Sequence, residues 1–178
     1  MNSSNVMGQE FQYALTDASG AVVWTGTNVV AVTMKVTNAN TTTAIELQEA
    51  VLFDSGSSLG RADLPATSDP VMQAVLKVKR ISALADVGFI GFSLDKIAAS
   101  GKGQVAGTGS IGWVRCTSGA IAAGSLIRGS ATAGLLSATA AIDASNPVYG
   151  TVFGVALAAA AQQGATGSYM VLALVAQS

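Results

Sequence analysis

Apolar and polar positions first alternate between Gln9 and Thr27. Phe11, Tyr13 and Leu15 are separated by polar or small residues, and Val22-Val-Trp24 resumes an apolar strand after Asp17-Ala-Ser-Gly20. Period-two alternation on either side of Asp and Gly predicts a β-hairpin. Asn28 to Val36 is rich in Val and Thr and ends on alternating Val32, Met34 and Val36, which predicts a half-buried strand turning at Asn38-Ala-Asn40. Past Gly103, short segments (Ser110 to Cys116, Ser125 to Arg128, Thr151 to Leu157, Tyr169 to Ala176) lie between Gly, Ser, Asn and Pro. That is the spacing of an all-β sandwich or barrel, and the density of Gly disfavours a helical bundle. Two stretches keep two readings each. Over 43–52, Thr43-x-x-Glu46 has the form of a capping box that opens a short helix, yet Ala50 to Phe53 also reads as a buried strand before Asp54-Ser-Gly-Ser. Over 70–85, Asp69-Pro70 with Val71, Val75, Val78 and Leu84 suits a helix, whereas Val75, Lys77 and Lys79 alternate with Leu76, Val78 and Arg80 as in a strand.

The chain also repeats itself. Phe89-Ile-Gly-Phe-Ser-Leu94 followed by Gly101 aligns without gaps, 63 positions on, with Val152-Phe-Gly-Val-Ala-Leu157 followed by Gly164. Each copy reads as an aliphatic strand with a Gly where a backbone approaches or the strand bends. A short Ala-rich turn then leads to an antiparallel return strand, taken as Ser110 to Arg115 in one copy and Ser168 to Leu174 in the other. The expected organisation is an N-terminal arm and hairpin over 1–28 and a barrel or sandwich over 29–178, with repeat units near 87–116 and 150–176. The expected fold class is all-β: an antiparallel β-barrel or sandwich with an internal duplicated strand-turn-strand unit, and one short helix at most.

Composition narrows what such a fold can do. Of the 178 residues, 11% are charged against about a quarter in an ordinary soluble domain, 50% are hydrophobic, and there are 20 Gly and 32 Ala. A folded surface of roughly 8,000 Å² leaves roughly 400 Å² per charged residue, so most of the exterior is neutral or covered by another chain. Without His there is no Ser-His-Asp or Cys-His catalysis and no His-containing zinc site. Cys116 alone makes neither an intrachain disulfide nor a thiolate metal centre, and a buried free thiol is expected. A net charge of -1 supplies no electrostatic footprint for nucleic acid. The longest nearly apolar run, Val148 to Ala161, falls short of the ~20 residues of a spanning helix, and Met1 to Gly8 lacks the features of a signal peptide. No membrane partner and a cytoplasmic site of synthesis are therefore expected.

Individual motifs point away from catalysis. Gly107-Thr-Gly109-Ser-Ile-Gly112 matches a dinucleotide fingerprint, but Trp113-Val-Arg-Cys116 continues as a strand where the fingerprint needs a helix, so a turn is expected. Gly101-Lys102-Gly103 lacks the Ser/Thr of a P-loop. Glu46 and Glu49 would share a helix face at i and i+3, without a metal partner or electrophile nearby, and read as surface. Lys77, Lys79 and Arg80 read either as a solvated strand face or as a contact for an acidic partner. Trp24 and Trp113 read as core or interface anchors, with carbohydrate stacking as the alternative. No catalytic, cofactor-binding or metal-ligating residue is assigned.

Several stretches together resemble a known kind of protein. These are Val36-Thr-Asn38, Ala50-Val-Leu-Phe53-Asp-Ser-Gly56, Gly88-Phe-Ile-Gly-Phe-Ser-Leu-Asp-Lys-Ile97, Gly119-Ala-Ile-Ala-Ala-Gly124-Ser-Leu-Ile127, Thr132-Ala-Gly134-Leu-Leu and Val152-Phe-Gly-Val-Ala-Leu157. Over about Asn28 to Ser178 the pattern resembles β-rich structural domains of tailed-phage virions, found in capsid decoration (cement) proteins and in head or tail fibres. The sequence departs from that pattern at Gln48-Glu49, where such domains often have Lys-Gly, and at Gly124-Ser125, where they often have Gly-Asp; Asp69 to Asp86 looks like an insertion. The resemblance implies a non-enzymatic virion protein on the capsid surface that clamps major capsid protein subunits. A homo-oligomer is implied, a trimer in preference to a dimer, with Met1 to Phe11 as an arm that orders on the shell. The alternatives are a head or tail fibre module and a glycan-binding adhesin domain.

Overall fold

The structure, a computed structural model, describes residues 8–54, 76–84, 86–139, 152–163 and 168–176. Among them the secondary structure is all β: β1 (Gln9–Thr16), β2 (Val22–Val30), β3 (Thr33–Asn38), β4 (Ala50–Phe53), β5 (Leu76–Arg80), β6 (Phe89–Ser93), β7 (Lys102–Ala106), β8 (Ile111–Cys116), β9 (Leu126–Gly129), β10 (Leu136–Ala138), β11 (Val152–Ala156), β12 (Ala161–Gln163) and β13 (Ser168–Val175). The hairpin β1–β2 forms where the alternation placed it, with Gln9 opposite Val30 and Thr16 opposite Val22. Asp17 holds its turn: Oδ1 accepts from Ser19 Oγ at 2.6 Å, Ser19 N at 2.8 Å and Ala21 N at 3.0 Å. These donors, the Ser19 hydroxyl foremost, hold the exposed carboxyl below the usual carboxylate range. Because Gln9 to Phe11 belong to β1, they are not part of a free arm. Residues 1–7 lie outside the described residues.

The stretch Asn28 to Val36 is not one strand. Ala31 N turns to Ser110 Oγ at 3.1 Å, β2 ends at Val30, and the chain leaves the hairpin sheet to start β3. From there it builds two closed barrels in succession. The first runs β3-β5-β4-β6-β7; the second runs β8-β10-β9-β11-β13 and is closed by the pairing of β13 with β8. In each, the first strand lies parallel to the third (Val36 opposite Leu76, Cys116 opposite Leu136) and every other pairing within the ring is antiparallel. The register corresponds too. Val51 faces Gly91 as Ile127 faces Gly154, and in both fourth strands the residue before that Gly, Ile90 or Phe153, bulges out of the ladder. The parallel pair qualifies the expected antiparallel barrel.

The duplication therefore covers the whole five-stranded barrel, not one hairpin of it. The return strand after β6 is β7, with Phe92 opposite Ala106; Ser110 to Arg115 belongs to β8, which opens the second barrel. Matched positions fill both interiors. Val36, Ile45, Val51, Val78, Ile90, Ile97 and Val105 form the first core, and Val114, Ile121, Ile127, Leu136, Phe153, Ala160 and Ala173 stand in their places in the second. That second cluster extends outward to Leu52, Ile81, Phe89 and Phe92 on the outer wall of the first barrel, so one apolar mass joins the two. Phe89 meets Phe153 edge to face, with ring centroids 5.5 Å apart.

The two undecided stretches resolve as strands. In 43–52 there is no helix: Ile45 bridges Ile97, and Ala50 enters β4. The helix reading fails because Ile45, Ala50, Val51 and Leu52 are all buried, more than one helical stripe can hide against a single neighbour. In 70–85 the alternation wins, and Leu76–Arg80 is β5; residues 70–75 and 85 lie outside the described residues.

Gly91 and Gly154 have the same reason to lack a side chain. A Cβ on Gly91 would strike the carbonyl oxygen of Ala106, and one on Gly154 that of Leu174, the corresponding position of the last strand. Gly91→Ala and Gly154→Ala should each destabilise the protein by about 3 kcal/mol, as backbone must move to admit the methyl group. Gly88→Ala, with open space around it but φ of 78°, should cost about 1–2 kcal/mol. Urea unfolding of the three variants checks the order; equal losses would mean that close approach is not what requires Gly91 and Gly154.

Candidate functional site

The most developed polar cluster lies where the two barrels meet, at the turn before β4. Gln48 N donates to Ser93 O at 3.0 Å, as Gly124 N donates to Ala156 O at 2.8 Å in the second barrel. The two departures from the virion pattern are thus one turn seen twice. Gly124 takes φ of 82° freely, whereas Gln48 is held at 64°, a left-handed conformation that costs a residue with a side chain about 1–2 kcal/mol. The second barrel fastens it: Arg115 N donates to Gln48 O at 2.9 Å, and Arg115 Nε to Leu47 O at 2.8 Å.

Beside it Glu49 is buried, contrary to the surface position read from the sequence. Arg80 Nη2 reaches its Oε1 at 2.6 Å and also donates to Ala133 O at 3.1 Å, while Glu46 N donates to Glu49 Oε2 at 2.9 Å. Gly134 is the reason that the carboxylate fits, because a Cβ there would occupy its place. Burial pushes the Glu49 carboxyl above its ordinary pKa. The Glu46 amide and the attraction of Arg80 and Arg115 oppose that shift without cancelling it. Glu46, half-buried, pairs with Lys96 at 2.9 Å. Such a cluster clamps the two barrels together, since Arg80 also donates to Ala133 O and Arg115 to Leu47 O and Gln48 O across the seam.

The second feature is apolar. A groove of about 500 Å³ opens at one end of the first barrel, lined by Val32, Met34, Phe53, Leu76, Phe89 and Ile90. Val32 is 49% exposed and Phe53 37%. At the matching end of the second barrel Met34, Phe53 and Leu76 are replaced by Gly112, Gly129 and Gly134, and Phe92, Ile81 and Glu49 of the first barrel occupy the space. Among the described residues, the same end is therefore filled from within the chain in one barrel and open in the other.

The remaining sequence candidates fall into structural places. Trp24 and Trp113 pack on each other edge to face at 5.2 Å, with Trp24 Nε1 donating to Tyr13 Oη at 3.2 Å, so both anchor the hairpin on β8. Burial pushes the Tyr13 hydroxyl up to about 12 and the Cys116 thiol up to about 11, and Cys116 stays an unreactive thiol at neutral pH. Thr108 and Gly109 of the apparent dinucleotide motif form the tight turn between β7 and β8, and Lys102 opens β7. Lys77 and Lys79 point outward from β5, and Arg80 inward to Glu49. Asn28 escaped the sequence reading. It is buried, and its Oδ1 accepts from Trp113 N at 3.3 Å; the signal was an amide in phase with Trp24 and Val30 on an apolar strand face.

Among the described residues no group of His, Cys, Asp or Glu could hold a metal ion, and no helix is long and apolar enough to cross a membrane. The chain matches no known protein family, curated protein or solved structure.

Removing one partner of the buried pair should expose its pH dependence. Arg80→Met should cost about 3 kcal/mol at pH 7, where Glu49 would be left charged and unpaired. The folded-state pKa of Glu49 is already raised and rises further without Arg80. Stability is then lost as pH climbs through that pKa and recovered below it. Urea unfolding at pH 5 should show less than half the penalty measured at pH 7; an equal penalty at both would show that Glu49 desolvation is not its source.

Proposed function

We propose that this chain is a non-enzymatic structural protein of a tailed-phage particle, a capsid decoration protein bound to the outer shell. The observation that carries the reading is the exterior of the second barrel. Among the described residues, its only charged side chains are Arg115 and Arg128, both half-buried, and Arg115 is tied to Leu47 O. A wall of that kind, with Ala, Ser, Thr and Leu outward and only two half-buried arginines for charge, is suited to lying against other subunits, since burying it desolvates few ions. The scarcity of charge also fits a symmetric homo-oligomer, in which each patch meets its own copy.

Mechanically, such a protein works by mass action. Binding across neighbouring capsid subunits only when the shell is assembled lowers the free energy of that state and raises the barrier to opening. Two barrels joined through one apolar mass and by hydrogen bonds from Arg80 and Arg115 across the seam form one block, which transmits force between the sites it bridges. The resemblance of the strand pattern to virion β-domains supports the same reading.

Purified chain added to empty expanded capsids of a phage that encodes it should bind in proportion to the number of capsid subunits and raise the temperature at which the shells open. Particle imaging decides between places: density at a single vertex or on the tail would make the protein a fibre module. Absence from shells together with clear signals on a glycan array would make it an adhesin domain.

A further inference from the structure

Lysine is used very unevenly in this chain. Of its five lysines, Lys35, Lys77, Lys79 and Lys102 all project outward from one wall of the first barrel, formed by β7, β3 and β5. The register sets them side by side: Thr37 is flanked by Lys102 on one strand and Lys77 on the other, and Lys35 and Lys79 stand one outward position to either side. Neighbouring strands lie about 4.8 Å apart, so Lys102 and Lys77 are attached about 10 Å from each other, no farther than one Debye length at moderate salt. Lys79 has Asp54 at 3.6 Å, and Asp95 at the edge of the wall accepts from Gln104 N at 3.1 Å. Among the described residues, Lys35, Lys77 and Lys102 have no ion-pair partner.

The duplicate barrel shows what this wall can do. At the places of Lys35, Lys102 and Gln104 the second barrel has Trp113, Met170 and Leu172. There the wall is covered: Trp113 packs against Trp24 of the hairpin, and Met170 is fully buried. One copy of the wall thus already docks a β-hairpin through apolar contact. The other copy carries clustered like charges that repel one another, and among the described residues only Lys79 is paired within the chain, to Asp54.

We propose that the β7-β3-β5 wall of the first barrel docks an acidic patch of a partner protein; in identifying that partner as the shell subunit, the proposal rests on the decoration reading. Protein is the better match than nucleic acid. The wall uses Lys without Arg, offers no aromatic side chain on which bases could stack, and belongs to a chain of net charge -1.

The test uses the full chain with Lys35, Lys77 and Lys102 changed together, to Glu in one variant and to Arg in another, each first shown by urea unfolding to be folded. On empty capsids at about 50 mM salt the Arg variant should bind like the original chain and the Glu variant at least about tenfold more weakly. Raising salt to about 300 mM should weaken the original and leave the Glu variant little changed. Equal binding by both variants would overturn the proposal while leaving the decoration reading standing. If the original chain does not bind capsids, that reading fails, and titration with poly-L-glutamate and with a single-stranded oligonucleotide of matched charge tests the wall itself. Preference for poly-L-glutamate that is lost in the Glu variant supports a protein partner; preference for the oligonucleotide, or binding to neither, overturns it.

Discussion

Closure of each barrel depends on one contact in which a strand presents bare backbone to a carbonyl oxygen. At Gly91 and Gly154 the fourth strand passes so close to the fifth that the oxygens of Ala106 and Leu174 occupy the space of a side chain. A ring of only five strands is strongly curved, and a bulge concentrates the bend at one residue. That bulge lies immediately before the glycine in both barrels and aims Ile90 or Phe153 into the core. Glycine, bulge and inward apolar residue form one device, and the matched interiors follow from using it twice.

The two barrels differ where they meet. Gly112, Gly129 and Gly134 leave one end of the second barrel without side chains, and Phe92, Ile81 and Glu49 of the first enter there. Burying Glu49 is tolerable because Arg80 and the Glu46 amide meet its carboxylate, and it ties the contact to one geometry. Polarity then separates the exposed parts: among the described residues the second barrel carries only the half-buried Arg115 and Arg128, and the first has a lysine-rich wall.

Much of this was legible along the chain. The β1–β2 hairpin and β8, β9, β11 and β13 stand out because strict alternation and turn residues are local signals. The similarity of β6 to β11 was visible because the glycine device needs the same residues in the same order. Its extent was not: β7 reads Lys102-Gly-Gln-Val-Ala106, too little alternation to mark it as the partner of β6, and the longer Ser110 to Arg115 stretch took that place. Glu49 reads as surface because nothing near it in sequence predicts burial. The glycine that makes room for it is Gly134, and its counter-charge comes from β5. Asn28 was passed over for the same reason, since its hydrogen bond reaches β8.

The amino-acid sequence by itself determined the all-β class, the places of most strands, the duplicated glycine strand and the near absence of charge, because each is a matter of residue type and short-range spacing. Tertiary structure alone decided that the duplicated unit is a complete barrel, that the second barrel is filled at one end by the first, and that lysines from three strands share one wall. Those outcomes depend on pairing between strands far apart along the chain, and a closed ring brings together residues that no local pattern connects.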